Sequence, residues 1–195
     1  MKLNTPLTVD EIDFRIQSIS AKGYATVLAY KDARVDMKRL DDVFGVEYWQ
    51  KKYSVVNGNL FCSVGIYNKE LKEWIWKEDV GTESMTEKEK GQASDAFKRA
   101  CFNLGIGREL YDYPRIFLQL KKDEFTTKQL GNKTIGVATF NLKLNKWNWN
   151  VEFSEETVTR VYAEDQNGDL RYDSDKEFNS APNGNSTPEP KKETL

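Results

Sequence analysis

Asp95, Lys98, Arg99 and Phe102 are spaced so that one α-helix would gather them on a single side. Winding at about 100° per residue puts Lys98 and Arg99 on the two shoulders of a polar face, with Asp95 and Phe102 between them. Cations neutralise phosphates, and an exposed aromatic ring offers a stacking platform to any base. A sequence-tolerant single-strand binder needs both. The plainer reading is that Asp95 pairs with Lys98 and Arg99 at i+3 and i+4 and that Phe102 packs on another element, since charged helix faces are commonly just solvated. A second basic group, Arg34, Lys38 and Arg39, is partly countered by Asp36, Asp41 and Asp42. The run Tyr48-Trp49-Gln50-Lys51-Lys52-Tyr53 interleaves aromatic and basic residues, which suits either a groove lining or a strand with one solvated face.

Catalytic patterns are poor by comparison. Gly105-Ile106-Gly107-Arg108-Glu109-Leu110 begins like a dinucleotide fingerprint but lacks the third glycine and follows a helix rather than a strand. There is no GxxxxGK[ST] phosphate loop. The best metal-nuclease triplet is Glu70-Leu71-Lys72, with Asp79 as a second carboxylate, but it falls in a turn. Histidine is absent, which removes the commonest general base and metal ligand. The two cysteines, Cys62 and Cys101, lie far apart among apolar neighbours and read as buried thiols rather than a zinc site or a disulfide. No catalytic residue, metal or cofactor is therefore expected.

The chain has 195 residues, 38% hydrophobic and 31% charged, with a net charge of -2. That fits one soluble domain, and any nucleic-acid surface must gather its cations locally. No apolar run approaches a membrane span and the first residues do not read as a signal peptide, so a cytoplasmic protein without a membrane partner is expected.

The elements that would position these residues follow from periodicity. Thr8-Val9-Asp10-Glu11 is a capping box, and Val9, Ile12, Ile16 and Ile19 recur at helical spacing, predicting a helix over 9–21. Residues 24–30 read as a strand, and Met37, Leu40, Val43 and Phe44 predict a second helix ending at Gly45. A meander follows: 53–56, the turn Asn57-Gly58, 60–67, then 74–80. Its cover is a long helix with Ala93, Ala96, Phe97, Ala100, Cys101 and Leu104 on one stripe, opened by a capping box at Thr86-Glu87-Lys88-Glu89 and stopped by Gly105. Strands are predicted at 116–120, 135–144 and 147–153, with a hairpin over 157–172 around Asn167-Gly168. From about Ser174 the composition predicts a flexible tail.

Three segments together resemble the Rad52-type family of single-strand annealing proteins and its phage relatives. The first is YKDARVDMKRLDDVFGVEYW, residues 30–49, with an Arg-Val pair opening a helix that ends in Phe-Gly and a Trp four residues later. The second is Glu78-Asp79-Val80-Gly81 at the end of the third meander strand, and the third is KGQASDAFKRACFNLGIGRELYD, residues 90–112. The resemblance covers about residues 10–115. It implies a β-β-β-α core, to which the residue patterns add an N-terminal helix pair and, beyond the reach of the resemblance, C-terminal hairpins, for an α+β fold overall. The annealing domain would be 1–173, with its core at about 10–115, a β-rich extension at 116–173 and the tail at 174–195. It implies a ring-shaped homo-oligomer that binds single-stranded DNA and anneals complementary strands in recombination and repair without ATP. Lys98, Arg99 and Arg34 would contact the bound strand, with Lys38 and Phe102 as further candidates. One departure is Phe102, where relatives place another basic residue; either a contact is lost or stacking replaces it. The tail is a candidate for recruiting a host single-strand-binding protein or recombinase. The rival readings are a metal-dependent nuclease and an RNA-binding or strand-protecting module.

Overall fold

The computed structural model describes residues 2–82 and 88–176, and of residues 88–90 the backbone alone. The chain runs β1 (Asp13–Ser20), β2 (Tyr24–Tyr30), α1 (Ala33–Phe44), β3 (Trp49–Val56), β4 (Asn59–Asn68), β5 (Glu73–Val80) and α2 (Lys88–Asn103). It continues as β6 (Ile116–Gln119), β7 (Phe125–Leu130), β8 (Lys133–Ala138), β9 (Asn148–Ser154), β10 (Thr157–Glu164) and β11 (Leu170–Asp173). These make an α+β fold of antiparallel sheets around two apolar cores.

The first core lies between a meander and helices. Strands β3, β4 and β5 pair in that order, with the tight turn at Asn57 (φ 52) and Gly58 (φ 79) joining the first two. Positive φ at both central residues is what a twisted two-residue hairpin demands. Helix α2 packs across β4 and β5, and Cys62 and Val64 of the sheet meet Ala96, Phe97, Ala100 and Cys101 of the helix, all 0% exposed. Alanines on the stripe let the helix axis come close to the strands. The residues of the α2 capping box lie outside the described residues and side chains.

A five-stranded sheet, ordered β6-β2-β1-β8-β7, packs on a second three-stranded sheet, β11-β10-β9. Ile19, Ala25, Val27, Ile116 and Leu118 face Trp147, Trp149, Val161 and Ala163 in the core between them. The Phe14 and Trp149 rings stack at 3.8 Å. Gly136 of β8 pairs with Ile19, where a Cβ would come within 2.3 Å of the isoleucine side chain, so β8 approaches β1 as only glycine allows.

The helix predicted over 9–21 is a correction. Only Val9–Glu11 turns, as 3-10 helix, and Asp13–Ser20 is strand β1, so there is no N-terminal helix pair. The Glu11 carboxylate does accept from the Thr8 amide at 2.9 Å, but it also binds the guanidinium of buried Arg39, which ends the turn. The register of β1 against β2 shifts between Ile16 and Ser18. That bulge moves the next inward residue to Ile19, converting a spacing of two into three and imitating a helix. Strand β7 was not expected, its face being polar and exposed, and β8 ends at Ala138 rather than running to 144. At the start of the predicted tail, Ser174 is tied to β10 by its amide on the Val161 carbonyl, 2.9 Å, and residues 177–195 lie outside the described residues. No helix among the described residues is long and apolar enough to cross a membrane.

Candidate nucleic-acid interface

Helix α2 turns its second face toward a pair of recesses. Gly105, φ +106, ends it in a Schellman arrangement: the Ile106 amide donates to the Cys101 carbonyl at 3.1 Å and the Gly105 amide to that of Phe102 at 2.9 Å. Gly107, φ +74, then reverses the chain where a Cβ would strike the Lys31 stem at 2.9 Å. The single 3-10 turn Arg108–Tyr111 follows and lays Tyr111 back over the helix. That turn is anchored by buried Glu109, whose carboxylate accepts from the Leu7 amide at 2.6 Å.

The two recesses, about 350 and 310 Å³, share Arg99, Phe102 and Tyr111 as a common wall. Asp79, Asn103 and Arg108 complete one, while Tyr30, Lys31, Asp95 and Lys98 belong to the other. Lys98 has no ion pair among the described residues, although its charge is felt at the Asp32 carboxyl and works against the rise of the Asp36 carboxyl. Asp95 is not its partner, because that carboxylate accepts from the amide and hydroxyl of Thr82 at 2.9 and 3.0 Å. Arg99 is 41% exposed and donates to Asp79 at 3.2 Å, while Asn103 donates to the Asp79 carboxylate and to the Glu78 carbonyl.

The Glu78-Asp79-Val80-Gly81 segment thus has a physical role as the sheet edge that grips α2. A Cβ on Gly81 would lie 2.2 Å from the Gln92 carbonyl oxygen, so the strand exit and the helix touch backbone to backbone. Arg108 donates to the Phe102 and Asn103 carbonyls at 2.8 and 3.0 Å, capping the negative end of the helix dipole and leaving the rest of its charge at the mouth of the recess.

Phe102 is half-buried. The Tyr111 ring lies 5.1 Å away, and the Lys31 ammonium sits 4.7 Å from the ring centre. Lys31 is itself 2% exposed and pairs with fully buried Asp36. Burial pushes the Asp36 carboxyl up to about 6 and the Lys31 ammonium down, against their mutual attraction.

The structure therefore brings Lys98, Arg99 and Phe102 together, and Arg34 stands just outside. Arg34 lines neither recess; its exposed guanidinium pairs at 2.8 Å with Asp32, the N-cap of α1, which also feels Lys98. Lys38 is one turn further along α1, paired with Asp42 and not at the recesses. Arg39 is no surface cation at all: 2% exposed, it binds Glu11 and the Thr5 and Pro6 carbonyls. Lys51 and Lys52 lie over the Phe97 and Trp76 rings at 4.3 and 4.0 Å, on opposite faces of β3.

Sequence reasoning missed Arg108 and Tyr111. The signal for them was the cation Arg108 three residues after the Gly105 helix stop, in a run weighed only as a dinucleotide fingerprint. The carboxylates of the nuclease reading do not meet: Glu70 sits in the turn before β5 and Asp79 near the far end of that strand, about 20 Å along it at 3.3 Å per residue. No cluster of three or more metal-ligating residues occurs among the described residues.

Over 117 residues the chain is 32% identical to the single-stranded DNA-binding protein DdrA of Deinococcus radiodurans, an alignment covering 58% of this chain. It takes in 55% of DdrA, so the chain spans about half the length of that relative. Residues 1–129, which hold α1, the meander, α2 and the whole wall of the recesses, match the Rad52/22 family double-strand break repair protein, and the chain belongs to that family.

Proposed function

We propose that the recesses on α2 form the groove of a single-strand annealing protein, which binds single-stranded DNA and pairs complementary strands in recombination and repair without ATP. The observation that carries this is Lys98, without an ion pair among the described residues, beside Arg99 and Arg108 at the mouths of two recesses that share an aromatic wall. Phosphates need cations whose charge is not already engaged, and Lys98 supplies one, with Arg99 and Arg108 beside it, in a chain whose net charge is -2. The single-strand binding of DdrA and the membership in a repair family support the same reading.

Strands β3, β4 and β5 with α2 act as a β-β-β-α annealing core within residues 1–173. A few cations per protomer bind weakly, so affinity comes from repetition around a ring of identical copies, which raises the effective concentration of each next contact. Arg34 extends the groove from the N-terminus of α1, while Lys38 lies too far along that helix to belong to the first contacts. The segment after Asp173 recruits a single-strand-binding protein or recombinase of the cell, in the cytoplasm.

A fluorescence annealing assay with complementary oligonucleotides in EDTA, paired with light scattering, tests the reading. Annealing by an oligomer in the absence of ATP and metal is expected. A monomer at micromolar concentration with and without DNA would remove the ring. Cleavage of DNA on adding magnesium would turn the reading to a nuclease, and annealing of RNA alone to an RNA module.

A further inference from the structure

We propose that Tyr111, rather than Phe102, is the base-stacking residue of this groove, with Phe102 serving as its mount. The inference rests on the groove reading above and names which part of the nucleic acid meets which side chain.

Three observations converge. Tyr111 is 73% exposed, whereas Phe102 is half-buried, with the Tyr111 ring 5.1 Å and the Lys31 ammonium 4.7 Å from its ring centre. Tyr111 also lies on the wall between the two recesses, with Lys98 to one side, Arg108 to the other and Arg99 reaching both. A strand crossing this wall meets a cation, a ring and a second cation in turn, the order of phosphate, base and phosphate in a nucleotide chain. The ring is also held in advance. The Schellman end of α2, the left-handed Gly107 and the Glu109 anchor fix the turn that carries it. A rigid aromatic loses little side-chain freedom when a base stacks on it, so more of the stacking free energy appears as affinity. Because every base has a π face, such a contact leaves binding tolerant of sequence.

The test compares wild type, Tyr111→Ala, Tyr111→Phe, Tyr111→Leu and Lys98→Ala on an oligothymidylate and on an abasic oligonucleotide of the same length. Stacking predicts that Tyr111→Ala and Tyr111→Leu weaken thymidylate binding by about 5- to 150-fold. Tyr111→Phe should stay within about twofold of wild type, and the salt slope should not change in any of the three. On the abasic strand all three should match wild type. The leucine variant keeps apolar bulk over Phe102, so a loss in alanine alone would mean that Tyr111 only shields its mount, and the proposal would fall. Equal losses on both oligonucleotides, or none on either, would overturn it as well. Lys98→Ala separates the levels. If it weakens binding of both strands while Tyr111→Ala is neutral, only the stacking role is lost. If it changes nothing, the groove itself lies elsewhere.

Discussion

Neighbouring cations on α2 differ in how far their charge is already engaged. Arg99 is shared with Asp79, whereas Lys98 has no ion pair among the described residues. Lys98→Ala should therefore flatten the log–log salt dependence of single-strand binding by close to a full contact, about 0.7. Arg99→Ala should flatten it less. Asp79→Asn should tighten binding by up to about fivefold, since the exposed pair that competes with phosphate is worth roughly 0.2–1 kcal/mol. Salt titrations of the three variants on one oligonucleotide check all of this, and an unchanged slope in Lys98→Ala would remove that lysine from the contact set. Phe102→Ala should lower stability by about 2 kcal/mol, below the 3–5 typical of a fully buried phenylalanine, because the ring is half-buried. A melting curve that does not move would show that Phe102 has no mounting role. Lys98, Arg99 and Phe102 were legible in the sequence because helical winding alone gathers them. Tyr111 and Arg108 were not, because they return to the helix only through two left-handed glycines whose conformation the letters do not display.

At the scale of elements, the contact that sets the proposed groove is the one between the exit of β5 and α2. Adding a methyl at Gly81 would drive a Cβ into the Gln92 carbonyl and the Ala96 amide, which are backbone and cannot swing aside. Gly81→Ala should thus destabilise by roughly 1–3 kcal/mol, the usual scale of overpacking. It should also weaken strand binding by displacing the helix that carries Lys98 and Arg99. Denaturant midpoint and affinity should fall together, and a stable variant with normal affinity would show that the close approach is dispensable. The meander and α2 were readable because their signals are local: an Asn-Gly turn, strict alternation and a long apolar stripe. β1 was misread because a bulge gave it the spacing of a helix, and β7 was missed because its burial pattern has almost no apolar face.

In the molecule as a whole, charge is divided between the two layers. Away from the groove, Arg171 bridges Glu124 and Asp165 at 2.7 and 3.2 Å, its guanidinium over the Trp147 ring, and Lys121 joins Asp165 at 2.9 Å. Burial alone would raise the Asp165 carboxyl, but Lys121, the Asn167 amide and Arg171 hold it down at about 2 against an ordinary 3.8. Glu124 and Asp173 are lowered as well. A carboxyl depressed in the folded state contributes stability that is fully present above its unfolded pKa and is lost as pH falls through the folded one. Unfolding midpoints should therefore drop between about pH 4 and pH 2, and Asp165→Asn should be less stable at neutral pH with a flatter acid limb. An acid limb as steep as that of wild type would assign the effect to other carboxylates. Such long-range pairing, 44 to 47 residues apart, has no local pattern to announce it, which is why this network was not foreseen.

The two cysteines face each other's layer, Cys62 on β4 and Cys101 on α2, and both are fully buried. Burial pushes the Cys62 thiol up to about 11 and that of Cys101 higher still. Since only a thiolate attacks a disulfide reagent, neither reacts at neutral pH until the helix lifts from the sheet. Colour release from an aromatic disulfide probe thus becomes a stopwatch for that lifting. Single-stranded DNA on the outer face of α2 should slow the stopwatch, because whatever binds the closed form draws protein away from the open one.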